Sequence, residues 1–168
     1  CSTAGKGIVA DDSPLSLSAS TVRAEARQYL STADVVLAVG TELAETDSFV
    51  EELDLPGALI RVDIDPRKLD DQYLPAVSIL GDAPVVLSSL MSDGPFESAR
   101  PRKTVADEVA QIRAEIFENL TTSEAQHVVL LRALRDVLPE DVYVAGDICQ
   151  LVYTGAFAFD VSEPRSWS

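Results

Sequence analysis

Cysteine and histidine are scarce in this chain, which has two cysteines and one histidine among 168 residues. Cys1 and Cys149 cannot form a disulfide framework, and so few cysteines are typical of a protein of the reducing cytoplasm, the localisation that we expect. No group of cysteines and histidines has the spacing of a metal site, so no metal ligand is predicted. His127 lies within an amphipathic stretch, and we interpret it as a helical residue rather than a catalytic base.

Basic residues and long apolar runs are also lacking. The chain has 13 lysines and arginines against 28 aspartates and glutamates, which gives a formal net charge of −15. Because so acidic a protein repels a phosphate backbone, no nucleic-acid partner is expected. No run of about 18 apolar residues occurs, so no membrane-spanning helix is predicted. The remaining composition, 46% apolar and 24% charged, is that of a globular protein.

The first half of the chain alternates short apolar runs with helical patterns. The runs "ADVVLAVG", "GALIRVDID" and "AVSILGD" are continuous, which is typical of strands buried on both faces of a parallel sheet. Strands that alternate with helices at this spacing predict an α/β fold, with a parallel sheet and flanking helices. The expected strands are 33–40, 57–65 and 76–82, and the expected helices are 21–31, 41–53 and 83–91.

The second half begins with a predicted linker at 92–103, where proline, glycine and charged residues are frequent. Two helices are expected after it. The first has an apolar face within 105–116, and the second begins near Thr122–Ser123, a suitable N-cap, and stops at Pro139. The run "DVYVAGD" at 141–147 is predicted as a fourth strand. Since it lies far beyond the third strand, we interpret it as the first strand of a new sheet.

Each of the three predicted strands ends in glycine or aspartate. Ligands of open α/β sheets bind at the carboxyl edge of the strands, where Asp63 or Asp82 can accept hydrogen bonds from a ribose or an adenine amino group. Gly40–Thr41 lets the backbone approach a ligand closely, or merely makes a turn. The structural interpretation is capping, because Asp65 before Pro66 satisfies free N–H groups of a short helix. We favour capping for Asp65, and both interpretations stay open for the others.

The stretches "AGKGIVADDSPLSL", "ADVVLAVGTELAE", "LIRVDIDPRKL", "ILGD" and "VAGDICQLVYTGAF…PRSW" occur in this order. Together they resemble the thiamine diphosphate-dependent enzymes of the acetolactate synthase and 2-oxo acid decarboxylase family, which have three α/β domains. The first four stretches resemble the Rossmann-like central domain, and the last resembles the start of the diphosphate-binding domain. The resemblance implies a central domain at 1–92 without its first strand and helix, a linker and connecting helix at 93–121, and the start of the diphosphate-binding domain at 122–168.

The resemblance implies a parent enzyme, a lyase or transferase, that decarboxylates or condenses 2-oxo acids with thiamine diphosphate and Mg²⁺. The expected partners are the rest of the parent chain, further copies in a homo-oligomer, and the 2-oxo acid substrate. This chain lacks the family's activating glutamate and its Gly-Asp-Gly…Asn metal motif. The sequence "GDIC" is not that motif, because Ile148 stands at the position of the second glycine. We therefore expect a structural, inactive fragment without a catalytic residue. The alternative is a stand-alone nucleotide-binding α/β module.

The resemblance also implies candidate binding residues in two places. In relatives whose central domain binds FAD, the dinucleotide contacts segments that match Asp63–Ile64 and Asp82–Ala83. Gly40 and Thr41 belong to the same strand edge by position. Many relatives keep this motif without a nucleotide, so FAD or ADP is an alternative and no cofactor is expected in the chain by itself. The segment near the cofactor diphosphate in relatives matches Asp147, Ile148, Cys149 and Gln150.

Overall fold

The computed structural model of the chain describes residues 1–92, 94 and 100–168. The chain forms two compact units, which we name by their parts. The terminal unit consists of Cys1–Ala26 and Arg100–Ser168, and the sheet unit consists of Arg27–Ala99. These units are defined by contacts between residues, whereas the boundaries at 92 and 121 refer to family domains and stay a prediction. Half of the predicted linker at 92–103, namely residues 93 and 95–99, lies outside the described residues.

The sheet unit contains a parallel sheet of three strands, in the order β1-β2-β3. Hydrogen-bonded register places Leu37 beside Ile60 and Val62 beside Ile79. The continuous apolar runs therefore form the parallel sheet that the sequence predicts, and the α/β fold class is confirmed. The strands are β1 (Val35–Val39), β2 (Ala58–Asp63) and β3 (Val77–Leu80).

One face of this sheet supports the core of the unit. Ala38 and Leu59 pack with Leu53 and Tyr73 from the loops, and Leu30 of helix α1 packs against this group. The Tyr73 hydroxyl accepts a hydrogen bond from the Leu53 N–H at 2.7 Å, so the buried ring also joins two loops. Helix α1 spans Ala24–Leu30, and helix α3, which follows β3, spans Ala83–Ser92.

The predicted helix at 41–53 is wrong for most of its length. Only Glu45–Ser48 is helical, as the short helix α2. Leu43 and Phe49, on either side of it, have φ angles of 54° and 57°, in the left-handed region that interrupts a right-handed helix. The Ser48 carbonyl accepts a hydrogen bond from Arg27 Nη1 at 2.8 Å, so a side chain takes the place of a helical amide. Tertiary contacts therefore override the helical pattern.

The terminal unit contains three longer helices: α4 (Arg102–Glu118), α5 (Thr122–Val137) and α6 (Gln150–Ala158). The helical pattern predicted α4 and α5, and Val109, Ile112 and Ile116 form the buried face of α4. The N-cap of α5 is Thr121, one residue before the predicted position. Its hydroxyl accepts a hydrogen bond from the Glu124 N–H at 3.2 Å, while the Glu124 carboxylate accepts one from the Thr121 N–H at 2.8 Å, which completes a capping box.

The predicted fourth strand at 141–147 is not formed as a strand. Within the described residues, Val144 makes one parallel bridge, to Trp167. The Val144 N–H donates to the Ser166 carbonyl at 2.8 Å, and the Ser168 N–H donates to the Val144 carbonyl at 3.1 Å. A strand needs a partner of comparable length, and here the partner is a segment of three residues. Helix α6, which follows, was not anticipated from the sequence.

Candidate functional site

Six of the predicted site residues lie at the carboxyl edge of the three-stranded sheet. The main-chain hydrogen bonds of the sheet continue into this edge, since the Gly40 N–H donates to the Val62 carbonyl at 2.8 Å and the Gly81 N–H to the Asp63 carbonyl at 2.9 Å. The strand ends are therefore held side by side. The six residues at this edge are Gly40, Thr41, Asp63, Ile64, Asp82 and Ala83.

The turn after β1 is open to a ligand. Gly40 has a φ of 58°, a conformation that favours glycine, and a Cβ built there would meet no atom within 4 Å. The Thr41 hydroxyl accepts a hydrogen bond from the Leu43 N–H at 3.2 Å. Backbone groups of this turn can be approached closely, which is what a bound nucleotide would need.

The aspartates at the edge all take part in local capping contacts. Asp63 Oδ1 accepts a hydrogen bond from the Asp65 N–H at 2.9 Å, and Asp82 Oδ1 accepts one from the Val85 N–H at 3.3 Å. Asp65 is the N-cap of a short 3₁₀ turn, as the sequence predicts, and accepts from the Arg67 N–H at 3.0 Å. Hydrogen bonds from the Arg67 side chain and backbone lower the pKa of Asp65 to about 2. These two hydrogen bonds use one carboxylate oxygen each of Asp63 and Asp82.

Arg61 supports this edge from within the sheet, and the sequence analysis did not single it out. It is 1% exposed and donates from Nη2 to the Thr41 carbonyl at 3.1 Å. Its guanidinium also contacts both carboxylate oxygens of Asp71. Burial alone would raise the pKa of Asp71, but hydrogen bonds from Arg61 and from the Tyr73 N–H outweigh it and lower that pKa. A charged residue inside an otherwise apolar strand was the signal available in the sequence.

The other four predicted site residues lie in the terminal unit, around the start of α6. Asp147 Oδ1 accepts a hydrogen bond from the Ile148 N–H at 2.7 Å, and Ile148 is 86% exposed. Cys149 is the N-cap of α6 and, within the part of the chain that the structure describes, provides no side-chain cap. Amide groups of the first turn, which begins at Gln150, can therefore face an anion.

These residues fit a diphosphate only in part. The first turn of α6 offers positive helix-dipole charge, whereas the carboxylate of Asp147 repels a phosphate unless a cation lies between them. No group of three or more histidine, cysteine, aspartate or glutamate residues that can hold a metal occurs among the described residues. A cation that joins Asp147 to a diphosphate would accordingly need further ligands from outside these residues.

His127 contacts the same helix from α5. Its Nδ1 lies 2.9 Å from the Thr154 hydroxyl, and that hydroxyl donates to the Gln150 carbonyl at 3.1 Å. A hydroxyl has one hydrogen to donate, so Nδ1 of His127 carries the hydrogen of the first bond. The contact agrees with the structural interpretation of His127. It also supports the first turn of α6, a role that spacing along the chain could not reveal.

A cavity of about 780 Å³ lies at the opposite, amino edge of the sheet unit. Its walls come from the loop before β2, with Glu52 and Asp54, and from the loop before β3, with Gln72 and Leu74. None of the predicted site residues lines this cavity.

Comparisons with known proteins agree with the fold class. Residues 1–90 match the family described as "Thiamine pyrophosphate enzyme, central domain". The sheet with its open carboxyl edge is thus that of a thiamine diphosphate enzyme, and the chain belongs to this family. The predicted family is confirmed, and the alternative of a stand-alone nucleotide-binding module is not supported.

A particular relative extends the match. The chain is 46% identical over 166 residues, 99% of its length, to the "Probable 2-ketoarginine decarboxylase AruI" of Pseudomonas aeruginosa. The chain spans 30% of the length of that relative. Among the described residues, no helix is both long enough and apolar enough to cross a membrane.

Proposed function

We propose that this chain is the central part of a thiamine diphosphate-dependent decarboxylase whose substrate is a 2-oxo acid with a cationic side chain, as 2-ketoarginine is. The observation that carries the proposal is the 46% identity over 99% of the chain to a relative with that name. The 168 residues by themselves are proposed to be inactive.

Within such an enzyme, bound thiamine diphosphate would supply the electron sink for loss of carbon dioxide. The residues of this chain that would hold it are those at the start of α6. First-turn amides from Gln150 onward would hold the diphosphate, and Asp147 would supply a carboxylate for the accompanying Mg²⁺. The contacts of His127 and Thr154 would keep this turn in place.

The test is an assay of the full-length protein that contains this chain. We expect release of carbon dioxide from 2-ketoarginine that depends on added thiamine diphosphate and Mg²⁺, with pyruvate a much poorer substrate. Formation of a condensation product from two 2-oxo acids would instead indicate an acetolactate synthase-like transferase. Activity that is independent of thiamine diphosphate would contradict the proposal, and turnover by the 168-residue chain would contradict its inactivity.

We propose further that, if FAD or ADP binds, it occupies the carboxyl edge of the sheet. The open turn at Gly40 and the carboxylates of Asp63 and Asp82 support this placement. In a titration with either nucleotide, Asp63→Ala should weaken binding about 10-fold, the loss expected when a hydrogen bond to a charged group is removed. Asp54→Ala, in the cavity at the opposite edge, is the matched control. Equal affinities of the two variants would exclude the edge.

Assembly into a homo-oligomer is also proposed, and exposed apolar side chains support it. Val35 and Leu37 of β1 are 56% and 46% exposed, and Val77 and Leu80 of β3 are 49% and 61% exposed. Both strands are edges of the described sheet, and exposed edges with apolar side chains favour association. Sedimentation at micromolar concentration should show a dimer or larger species, whereas a compact monomer would contradict the proposal. Cytoplasmic localisation stays a prediction from the cysteine content.

A further inference from the structure

A buried lysine in the terminal unit lies outside the residues that would hold the cofactor. Lys6 is 2% exposed, and its Nζ lies 2.7 Å from Asp11 Oδ2 and 2.8 Å from the Ser18 hydroxyl oxygen. The same ammonium lies 5.5 Å from the ring centroid of Trp167, within the range of a cation–π interaction. Lysine is almost never fully buried unless it is paired, and here three groups surround one ammonium.

Two of these partners contact helix α6 directly. The Ser18 hydroxyl lies 3.3 Å from the Ala156 carbonyl and can donate to it. The Trp167 ring packs on Gly155 so closely that a Cβ at that position would lie 2.5 Å from Trp167 Cη2. Lys6 therefore holds two groups that together fix the position of the carboxyl half of α6.

The segment around Trp167 also fixes the chain just before α6. The Gly146 N–H donates to the Ser168 carbonyl at 2.8 Å, and Val144 is bridged to Trp167. Gly146 in turn packs against Val152, since a Cβ there would lie 2.6 Å from Val152 Cγ2. A shift of Trp167 would therefore move the residues immediately before Asp147.

Asp11, the third partner, anchors the start of the same terminal segment. It is fully buried, its N–H donates to the Val161 carbonyl at 2.9 Å, and its Oδ2 accepts from the Val161 N–H at 3.0 Å. Arg113 Nη1 of α4 donates to the Asp11 carbonyl at 2.7 Å. The Lys6–Asp11 pair therefore contacts the segment Val161–Trp167 at both ends, Asp11 at Val161 and Lys6 at Trp167.

We propose that Lys6 is a positioning residue for the cofactor-diphosphate segment Asp147–Gln150, acting through Ser18, Asp11 and Trp167. This inference rests on the proposed function, because that function assigns the diphosphate to the start of α6. Lys6 does not touch the diphosphate. It sets the distance and direction of the first-turn amides, on which the affinity for an anion depends.

The experiment compares Lys6→Met with the wild type in the full-length enzyme, and Lys103→Met, at the exposed start of α4, is the matched control. We expect the thiamine diphosphate concentration for half-maximal activity to rise about 10-fold in Lys6→Met, with kcat at saturating cofactor within about twofold of the wild type. Lys103→Met should match the wild type in both. A purely structural role would lower activity at every cofactor concentration without moving the half-maximal point, and that result would overturn the proposal.

Removal of one partner from a buried pair can prevent folding. In that case Lys6→Met/Asp11→Asn, which neutralises both partners, is measured by the same criterion. Hydrogen exchange of the amides of residues 147–153 is followed in parallel without cofactor. Faster exchange in the Lys6 variant supports the positioning role. Activity that is independent of thiamine diphosphate would contradict the proposed function but not this role. Unchanged exchange overturns the positioning role.

Discussion

Arg61 and Asp71 form a two-point ion pair, in which both terminal nitrogens of the guanidinium contact the two carboxylate oxygens. The Arg61 side chain is 1% exposed and that of Asp71 is 28% exposed, so the pair is closed on the side of the strand and open to water on the side of the loop. Because Arg61 also donates to the Thr41 carbonyl, it links the loop before β3 to the turn after β1. The candidate nucleotide edge therefore depends on a residue of the strand beneath it.

Replacement of Arg61 by methionine keeps an aliphatic stem of similar length but removes the pair. We expect the free energy of unfolding to fall by about 2–4 kcal/mol, because the Thr41 carbonyl and the Asp71 carboxylate lose their donors. Arg67→Met is the control, since Arg67 is paired with Asp65 at the surface and its side chain is 86% exposed. Urea unfolding of both variants checks this. A loss for Arg61→Met no larger than for Arg67→Met would contradict it.

The capping box of α5 gives a smaller, local prediction. Thr121→Ala removes the acceptor of the Glu124 N–H and should cost about 1 kcal/mol of stability. Thr122→Ala, one residue further along, changes the same residue type at an exposed first-turn position without removing the cap. Thermal unfolding should therefore separate the two variants. Equal melting temperatures would show that the box contributes nothing measurable.

Because of Lys6, we expect the free energy of unfolding to rise with pH in the alkaline range. Burial lowers its pKa from 10.5, against the opposing effect of Asp11 and Asp160, and Arg113 lowers it further. The unfolded chain then binds more protons than the folded chain in the range just below pH 10.5, so stability should rise with pH there. The difference in unfolding free energy between wild type and Lys6→Met, measured by urea titration at several pH values, should increase toward pH 10.5.

Lys68 provides the opposite case in the same chain. A hydrogen bond from its ammonium to Glu42 raises the pKa of Lys68 above 10.5. The contribution of Lys68 to stability is therefore fully present below pH 10.5 and is lost as the pH rises through the pKa of Lys68 in the folded chain. The difference between wild type and Lys68→Met should accordingly decline above pH 10.5. If both lysines gave the same slope, burial of Lys6 would not be the cause.

Gly155→Ala tests the contact between α6 and Trp167. Alanine in a helix normally stabilises by about 0.5–1 kcal/mol relative to glycine. Here the added Cβ would lie 2.5 Å from the indole, and the strain should reverse the sign, with a net loss of about 1–3 kcal/mol. Because the chain has one tryptophan, its emission reports the displaced ring directly.

The control for this prediction is Gly81→Ala. A Cβ there would meet the Val86 Cγ2 atom at 2.8 Å, a methyl group that can rotate away. We therefore expect a smaller loss and unchanged tryptophan emission. Unaltered emission in Gly155→Ala would contradict the tight packing of Trp167 on α6.

The sheet could be predicted from the sequence because its strands are short, continuous apolar runs closed by glycine or aspartate. That pattern is local in the sequence, and the same residues form strands in the structure. The prediction of a helix at 41–53 was wrong because the bounds of α2 depend on contacts outside the local sequence. Arg27 and two residues with left-handed backbone angles limit its length. Helix α6 has a glycine and several β-branched or aromatic residues, and it forms through packing against α5 and Trp167 rather than through helix propensity.

For the candidate site, sequence reasoning found the strand-end residues but not the side chains that support them. Asp65 could be recognised as a cap because its partner lies two residues away. Arg61 and Lys6 could not be assigned, because their roles depend on burial. In the case of Lys6, they also depend on Trp167 at the far end of the chain. A single sequence does not show which distant residues meet.

The contact between Asp11 and Val161, 150 positions apart, has a consequence for how the chain folds during its synthesis. The sheet unit is one continuous stretch of chain and can form as soon as that stretch leaves the ribosome. Residues 1–26 must wait for their partners, which at usual elongation rates means about 10–30 s. During that interval Lys6 and Asp11 are hydrated, and they become buried only after Trp167 has been synthesised. We infer that the terminal unit folds after the sheet unit, and that its rate is governed by closure of this long loop rather than by its helices.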